Sequence, residues 1–142
     1  MEKNIIIHTN SELFDIDMIY NYLHNESYWA KNIPRHMVER AIKKSLCFGL
    51  FINDKQVAFA RVISDYTTFA YLCDVFVLPA FQRSGLGKIL MQNIADHKEL
   101  QGLRRFMLAT RDAQKLYEKF GFTPLANPLR LMEKVVIDPY TA

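Results

Sequence analysis

The sequence predicts an α/β (α+β) domain, with one mixed central β-sheet, helices on both faces and the element order β-α-α-β-β-β-α-β-α-β. Three observations lead there. Apolar runs of strand length recur, as in "LCFGLFIN", "QVAFARVIS" and "FAYLCDVFV". Between and beyond them lie segments whose apolar residues fall three and four apart, the helical spacing. No internal repeat and no Ser-, Gly- or Pro-rich linker divides the 142 residues, so a single domain over 1–142 is expected.

Taken in order, "NIIIH" (4–8) reads as a first strand. Asp15 can cap a helix to about Asn25 that sets Ile16, Ile19, Tyr20 and Leu23 on one face. "NESYWAKNIPRHM" is an irregular aromatic connection, and Pro34 opens a helix to about Ser45, since a missing N–H is harmless in the first turn. The two apolar runs on either side of Asp54 form a hairpin turning at "NDK", and "FAYLCDVFV" is a third long strand that stops at Pro79. A helix over 85–99 follows, with Leu86, Ile89, Leu90, Ile94 and His97 at helical spacing. "RRFMLAT" is a strand. Asp112 is placed to cap a short helix bearing Ala113, Leu116, Tyr117 and Phe120, which Gly121 ends in a left-handed conformation. "RLMEKVVI" (130–137) is expected to be the last strand.

Composition narrows the function classes. Charged residues make up 23% of the chain and interrupt every apolar run, so no membrane span is expected. The start, "MEKNIIIHTNSELFD", lacks the long apolar stretch of a secretory signal, and a cytoplasmic location is expected. Cys47 and Cys73 lie in strand-like runs without CxxC spacing, as buried free thiols of a reducing compartment would. The four histidines are scattered and neither cysteine stands near one at ligand spacing, so no metal is expected. A net charge of +3 is too small to argue for nucleic acid, and "ERAIKK" and "KLYEK" mix their signs as solvated helix faces do.

The stretch "VLPAFQRSGLGKIL" (77–90) leaves a strand, places glycines at 85 and 87, and enters a helix with Arg83 and Lys88 beside them. Two phosphate motifs are excluded by spacing. A Walker A loop needs Gly where Gln82 stands and Ser or Thr where Ile89 stands. A dinucleotide fingerprint needs a third glycine where Leu90 stands, and Ser84 lacks a nucleophile elbow.

What remains, "QRSGLG" at 82–87, resembles the acyl-CoA turn of the GNAT family of N-acetyltransferases, Gln/Arg-x-x-Gly-x-Gly/Ala, at all six positions. That family continues with a strand and then a helix carrying Leu-Tyr and ending in Phe-Gly-Phe. Here the chain reads "FMLATRDAQKLYEKFGF". The resemblance is close over 69–123, with one departure at Asp112, where many members carry Asn.

It implies the GNAT acyl-CoA fold and acetyl-CoA as cosubstrate, its pyrophosphate held by Gln82, Arg83, Ser84, Gly85, Leu86, Gly87 and Lys88. Physical chemistry agrees, because glycines let successive backbone N–H groups close on an anion and the helix start adds its positive end. It further implies that the strands before and after the turn splay apart. Main-chain groups near Phe76 and Val77, with Val75 beside them, would then hold the pantetheine arm and polarise the thioester carbonyl. Tyr117 falls where the family has the acid that protonates the departing thiolate, although its apolar stripe is also that of a core tyrosine.

Asp74 interrupts an apolar run, where an unpaired carboxylate would be expensive. It can be a base for the amine, a ligand for a cationic acceptor, or a structural partner of Arg61 or Arg111. Tyr28, Trp29, Phe59 and Arg61 are the candidates for the acceptor pocket. The expected activity is acetyl transfer from acetyl-CoA to a primary amine, on a small molecule or a peptide, by direct attack in a ternary complex. A catalytically weak acyl-CoA sensor or interaction module is the alternative. Neither nucleic acid nor membrane is an expected partner, and the chain is expected to be a monomer or homodimer.

Overall fold

Strand-length apolar runs joined by tight turns should pair with their sequence neighbours, and they do. In the computed structural model, which describes residues 4–140, five strands form one sheet in the spatial order β1-β2-β3-β4-β5. They are β1 (Ile5–His8), β2 (Leu46–Ile52), β3 (Lys55–Ser64), β4 (Phe69–Val77) and β5 (Arg105–Leu108). The β2–β3 turn has both Asn53 and Asp54 at positive φ (49° and 69°), as a two-residue hairpin turn requires. Neighbours are antiparallel except β4 and β5, which a helical crossover makes parallel.

The helices are α1 (Ile16–Asn21), continued by a wider π turn over Tyr22–Glu26, then α2 (Arg35–Lys43), α3 (Leu86–Asp96) and α4 (Gln114–Glu118). Asp15 caps α1, its carboxylate accepting from the Met18 N–H at 3.1 Å. Ile19, Leu23, Val38 and Ile42 pack on Phe51, Phe59 and Phe76 on one sheet face. Leu86, Leu90, Met91, Ile94 and Tyr117 pack on Leu50, Val62 and Leu72 on the other. The core therefore has two layers, one on each side of the sheet. Gly49 makes the first possible: a Cβ there would lie 2.9 Å from the Phe14 ring, which sits directly on the strand.

Three local expectations are corrected. Residues 130–137 form no strand. A strand needs a backbone partner, and β5 pairs only with β4 while the chain turns away at Pro128–Arg130. Asp112 does not cap α4: the N-cap position falls to Ala113, which has no capping side chain and whose own N–H bonds the Thr110 hydroxyl at 3.0 Å. The third helix stops at Asp96 rather than 99, because the extended His97 accepts from the Glu99 N–H and starts a short 3₁₀ turn over Lys98–Leu100. Among the described residues, no helix is long and apolar enough to cross a membrane.

Candidate active site

The site begins where the parallel ladder ends. β4 and β5 pair from Phe69↔Arg105 to Leu72↔Leu108 and no further, although β4 runs on to Val77. Just past that point β4 bulges. Cys73 faces Arg61 and Phe76 faces Phe59 on β3, leaving Asp74 and Val75 opposite the single residue Ala60. Asp74 takes the left-handed conformation there, at φ 53°. A bulge re-aims a side chain, and this one swings an acid to the mouth of the gap.

A cavity of about 470 Å³ lies at that mouth, lined by Tyr28, Trp29, Cys73, Asp74 and Val75 and, across the gap, by residues 108–113 and Tyr117. Its size suits a small ligand or one end of a larger one. A chain of polar contacts sets its roof. Trp29 Nε1 donates to Asp74 Oδ1 at 2.7 Å, and Arg61 Nε donates to Oδ2 at 2.8 Å. Arg61 Nη1 continues to Ser45 Oγ at 3.1 Å. The Asp74 side chain is only 12% exposed, so this pair is largely shielded from solvent. Burial alone would lower the Arg61 pKa, but the Asp74 carboxylate more than reverses that and raises it. On the far side the Arg111 guanidinium stacks over Tyr28 at 3.9 Å, and the Arg111 N–H donates to the Tyr28 hydroxyl.

Two titratable groups of the wall share one perturbation. Burial pushes the Tyr117 phenol up to about 12, with Tyr28 and Asp112 adding to the effect. Burial also pushes the Cys73 thiol up to about 12, partly opposed by Arg61. Both stay protonated at neutral pH. Cys73 is half-buried rather than fully buried as the sequence suggested, whereas Cys47 is buried.

After β4 the chain makes a 3₁₀ turn (Pro79–Phe81) and reaches α3 through two left-handed residues, Arg83 at φ 63° and Gly85 at φ 82°. From Arg83 to Lys88 no backbone N–H bonds to another described group, and the first helical bond runs from Ile89 N–H to Gly85 C=O. An ordinary helix start leaves about four such donors free. Six in succession, with open space where a Gly85 Cβ would stand, are donors of the kind that can cradle an anion. Gln82 Nε2 bonds Val77 O at 2.9 Å and the Ser84 hydroxyl bonds Phe81 O, so these side chains brace the turn. Arg83 and Lys88 stand exposed beside it. A Cβ at Gly87 would instead meet Leu116 Cδ2 at 3.6 Å, an ordinary contact on the α4 side.

Four sequence candidates therefore share one cavity, Tyr28, Trp29, Asp74 and Tyr117. Phe59 is corrected: it is 0% exposed, packed edge-on against Phe14 and beside Phe76, because strand alternation turns it into the core. Arg61 also lies outside the cavity lining, behind Asp74, and borders a shallow groove with Met37, Arg40 and Lys44. Phe76 stacks on Tyr22 at 4.0 Å and the Leu86 side chain is buried, so neither side chain is available to a ligand. Thr110 and Arg111 escaped notice as wall residues. A polar pair after a strand carries no periodic signal, and the role of Arg111 arises from Tyr28, 83 residues away.

The profile of the acetyltransferase (GNAT) family matches residues 16–122. A Gibberella zeae protein assigned as an acetyltransferase is 32% identical over 136 residues, covering 80% of this chain and 76% of that one. The [ribosomal protein bS18]-alanine N-acetyltransferase of Escherichia coli K12 is 35% identical over 86 residues, 56% of either chain. Among solved structures, a Xanthomonas campestris protein assigned to the same family superposes with a TM-score of 0.95 at 52% identity, covering 98% of both chains.

Proposed function

Because the chain belongs to the acetyltransferase (GNAT) family, whose members move an acyl group from acyl-CoA to an amine, we propose that it acetylates a primary amine by direct attack in a ternary complex. The observation that carries this reading is the run of six free N–H groups at Arg83–Lys88, following a strand that opens onto the Tyr117 cavity. The cradle would hold the pyrophosphate of acetyl-CoA. Main-chain groups on the side of β4 that its ladder with β5 leaves open, around Phe76 and Val77, would hold the pantetheine arm.

Tyr117 supplies the leaving-group proton. As the amine nitrogen bonds to the carbonyl carbon, the C–S bond breaks and the phenol O–H protonates the departing sulfur. A phenol near 12 would be a poor match for a thiol in water, near 8.5. Cys73 shows what this cavity does to a thiol: burial lifts it to about 12 as well. A CoA sulfur buried against the same wall would be shifted in the same direction, which narrows its gap to Tyr117. The same shift leaves Cys73 almost without thiolate at neutral pH, which favours direct attack over an acetyl-cysteine intermediate.

Asp74 already accepts from Trp29 and Arg61, so its first duty is to position the roof. Its remaining lone pairs can meet the acceptor's ammonium and pass its proton outward through a water. Tyr28 and Trp29 supply the aromatic wall against which the acceptor lies.

The test is release of CoA thiol from acetyl-CoA with a panel of amines, each product weighed by mass spectrometry. The panel should include peptides with a free α-amine, since one relative acts on an alanine of a ribosomal protein. Amine-dependent release with an acetylated product is expected. Tight CoA binding without turnover on any amine would turn the reading to an acyl-CoA sensor.

A further inference from the structure

We propose that the groove between α2 and β3 is a second part of the acceptor site and takes an acidic side chain. The preferred acceptor is then a peptide with an acid a few residues from its reacting amine. This rests on the acetyl-transfer reading and adds to it where the rest of the acceptor lies. The groove, of about 320 Å³, is lined by Met37, Arg40 and Lys44 from α2 and its end, and by Arg61 and Ile63 from β3. Positions 37, 40 and 44 are three and four apart and share one helix face, while Val38 and Ile42 turn into the core.

A cationic rim here surrounds an apolar floor. Met37 and Ile63 are 41% and 44% exposed, a large share for side chains of their kind. Arg40 and Lys44 are exposed, and among the described residues neither has a carboxylate within ion-pairing distance. Arg61 gives its Nε donor to Asp74 and an Nη1 donor to Ser45, which leaves guanidinium donors over for an anion. Asp74 offsets one of the three cations, and two stay uncompensated. Cations in the last turn of a helix also complement its dipole, but that duty needs no apolar floor between them. A carboxylate on a short apolar stem matches both parts, its charge to the rim and its methylenes to Met37 and Ile63.

The groove adjoins the Tyr117 cavity. Tyr71 lines that cavity, Ile63 lines the groove, and the two are directly paired across β4 and β3. Such partners stand about 5 Å apart and share a face of the sheet. Asp74 and Arg61 join the same two spaces through their ion pair. An extended peptide advances about 3.4 Å per residue, so an amine in the cavity brings the next few residues over Ile63. The phosphates of the cosubstrate would not compete, because the free N–H groups at Arg83–Lys88 follow the other end of β4, beyond Val77.

The probes are alanine pentapeptides with a free α-amine, a C-terminal fluorophore and one Glu, Gln or Arg at each later position in turn. Polarisation is read with CoA in place of acetyl-CoA, so that binding is measured without turnover. Acetylation of the same peptides is followed by mass spectrometry. At one position or more the Glu peptide should bind about fivefold tighter than its Gln counterpart at low salt, and the margin should shrink in about 0.5 M salt. Arg40→Glu with Lys44→Glu should reverse the order in favour of the Arg peptide, a gain that a misfolded variant cannot produce. A wild type that binds Glu and Gln peptides alike at every position overturns the proposal. So does a double variant that keeps the Glu preference, which would place the anion elsewhere. A Glu preference with no acetylated product from any peptide supports the groove and counts against acetyl transfer, so the two failures are told apart.

Discussion

Tyr117 packs in the core, and the proposed reaction asks it to give a proton as well; a single oxygen separates the two duties. Tyr117→Phe keeps the ring against Phe122 and removes only the hydroxyl. We expect kcat to fall by about 10²-fold or more, with the KM for acetyl-CoA and the melting temperature nearly unchanged. With burial holding the phenol at about 12, any basic limb of the kcat profile below pH 10 belongs to another group. An unchanged kcat, with chemistry rate-limiting, would leave Tyr117 a packing residue. Gly85 is the matching test for the anion cradle. At φ 82° a β-branched residue is strained, so Gly85→Val must distort the turn even though open space surrounds it. Isothermal titration should show acetyl-CoA affinity lost while the circular dichroism spectrum stays native. Normal affinity would place the pyrophosphate elsewhere.

At the scale of elements, the irregular connection between α1 and α2 is tied to the sheet through Trp29, Asp74 and Arg61. Removing one partner of a shielded ion pair leaves the other charge uncompensated, at a cost of about 3 kcal/mol. Asp74→Asn should therefore lower the denaturation midpoint, with a loss of that order in chemical unfolding. A purely structural role would stop there. If Asp74 also meets the acceptor, the variant should raise KM for alkylamines, which are ammonium at neutral pH, far more than for arylamines, which are not. Equal changes for both classes, measured on folded variant, would confine Asp74 to holding the roof.

For the molecule as a whole, three shielded groups set an alkaline limit. Cys47 and Cys73, ordinarily near 9, and Tyr117, ordinarily near 10, are all pushed up to about 12, chiefly by burial. The unfolded chain releases these protons first. Stability is therefore full below about pH 9 and declines as pH rises from there towards 12. The melting temperature should fall across that window. In Cys47→Ala the fall between pH 9 and 11 should be shallower, whatever the variant's absolute stability. An identical slope would show that the Cys47 thiol is not carried buried and neutral into the alkaline range.

The local pattern of the chain determined much of this. Apolar runs of strand length and turn residues placed β2, β3 and β4, helical spacing placed α2 and α3, and the spacing of "QRSGLG" and "KLYEKFGF" marked the turn and Tyr117. These signals are legible because each is contained within a few neighbouring residues. Tertiary structure alone decided what depends on distant partners. The bulge that aims Asp74 exists because β3 offers one residue to two. Phe59 is core because α1 and α2 cover its face. Asp112 does not cap α4, because the helix starts after Ala113, whose N–H the path of the chain out of β5 presents to the Thr110 hydroxyl. The pattern at 130–137 reads as a strand and lies unpaired for the same reason. Alternation states which side chains want burial, and only the arrangement of the other strands states where a partner edge is to be found.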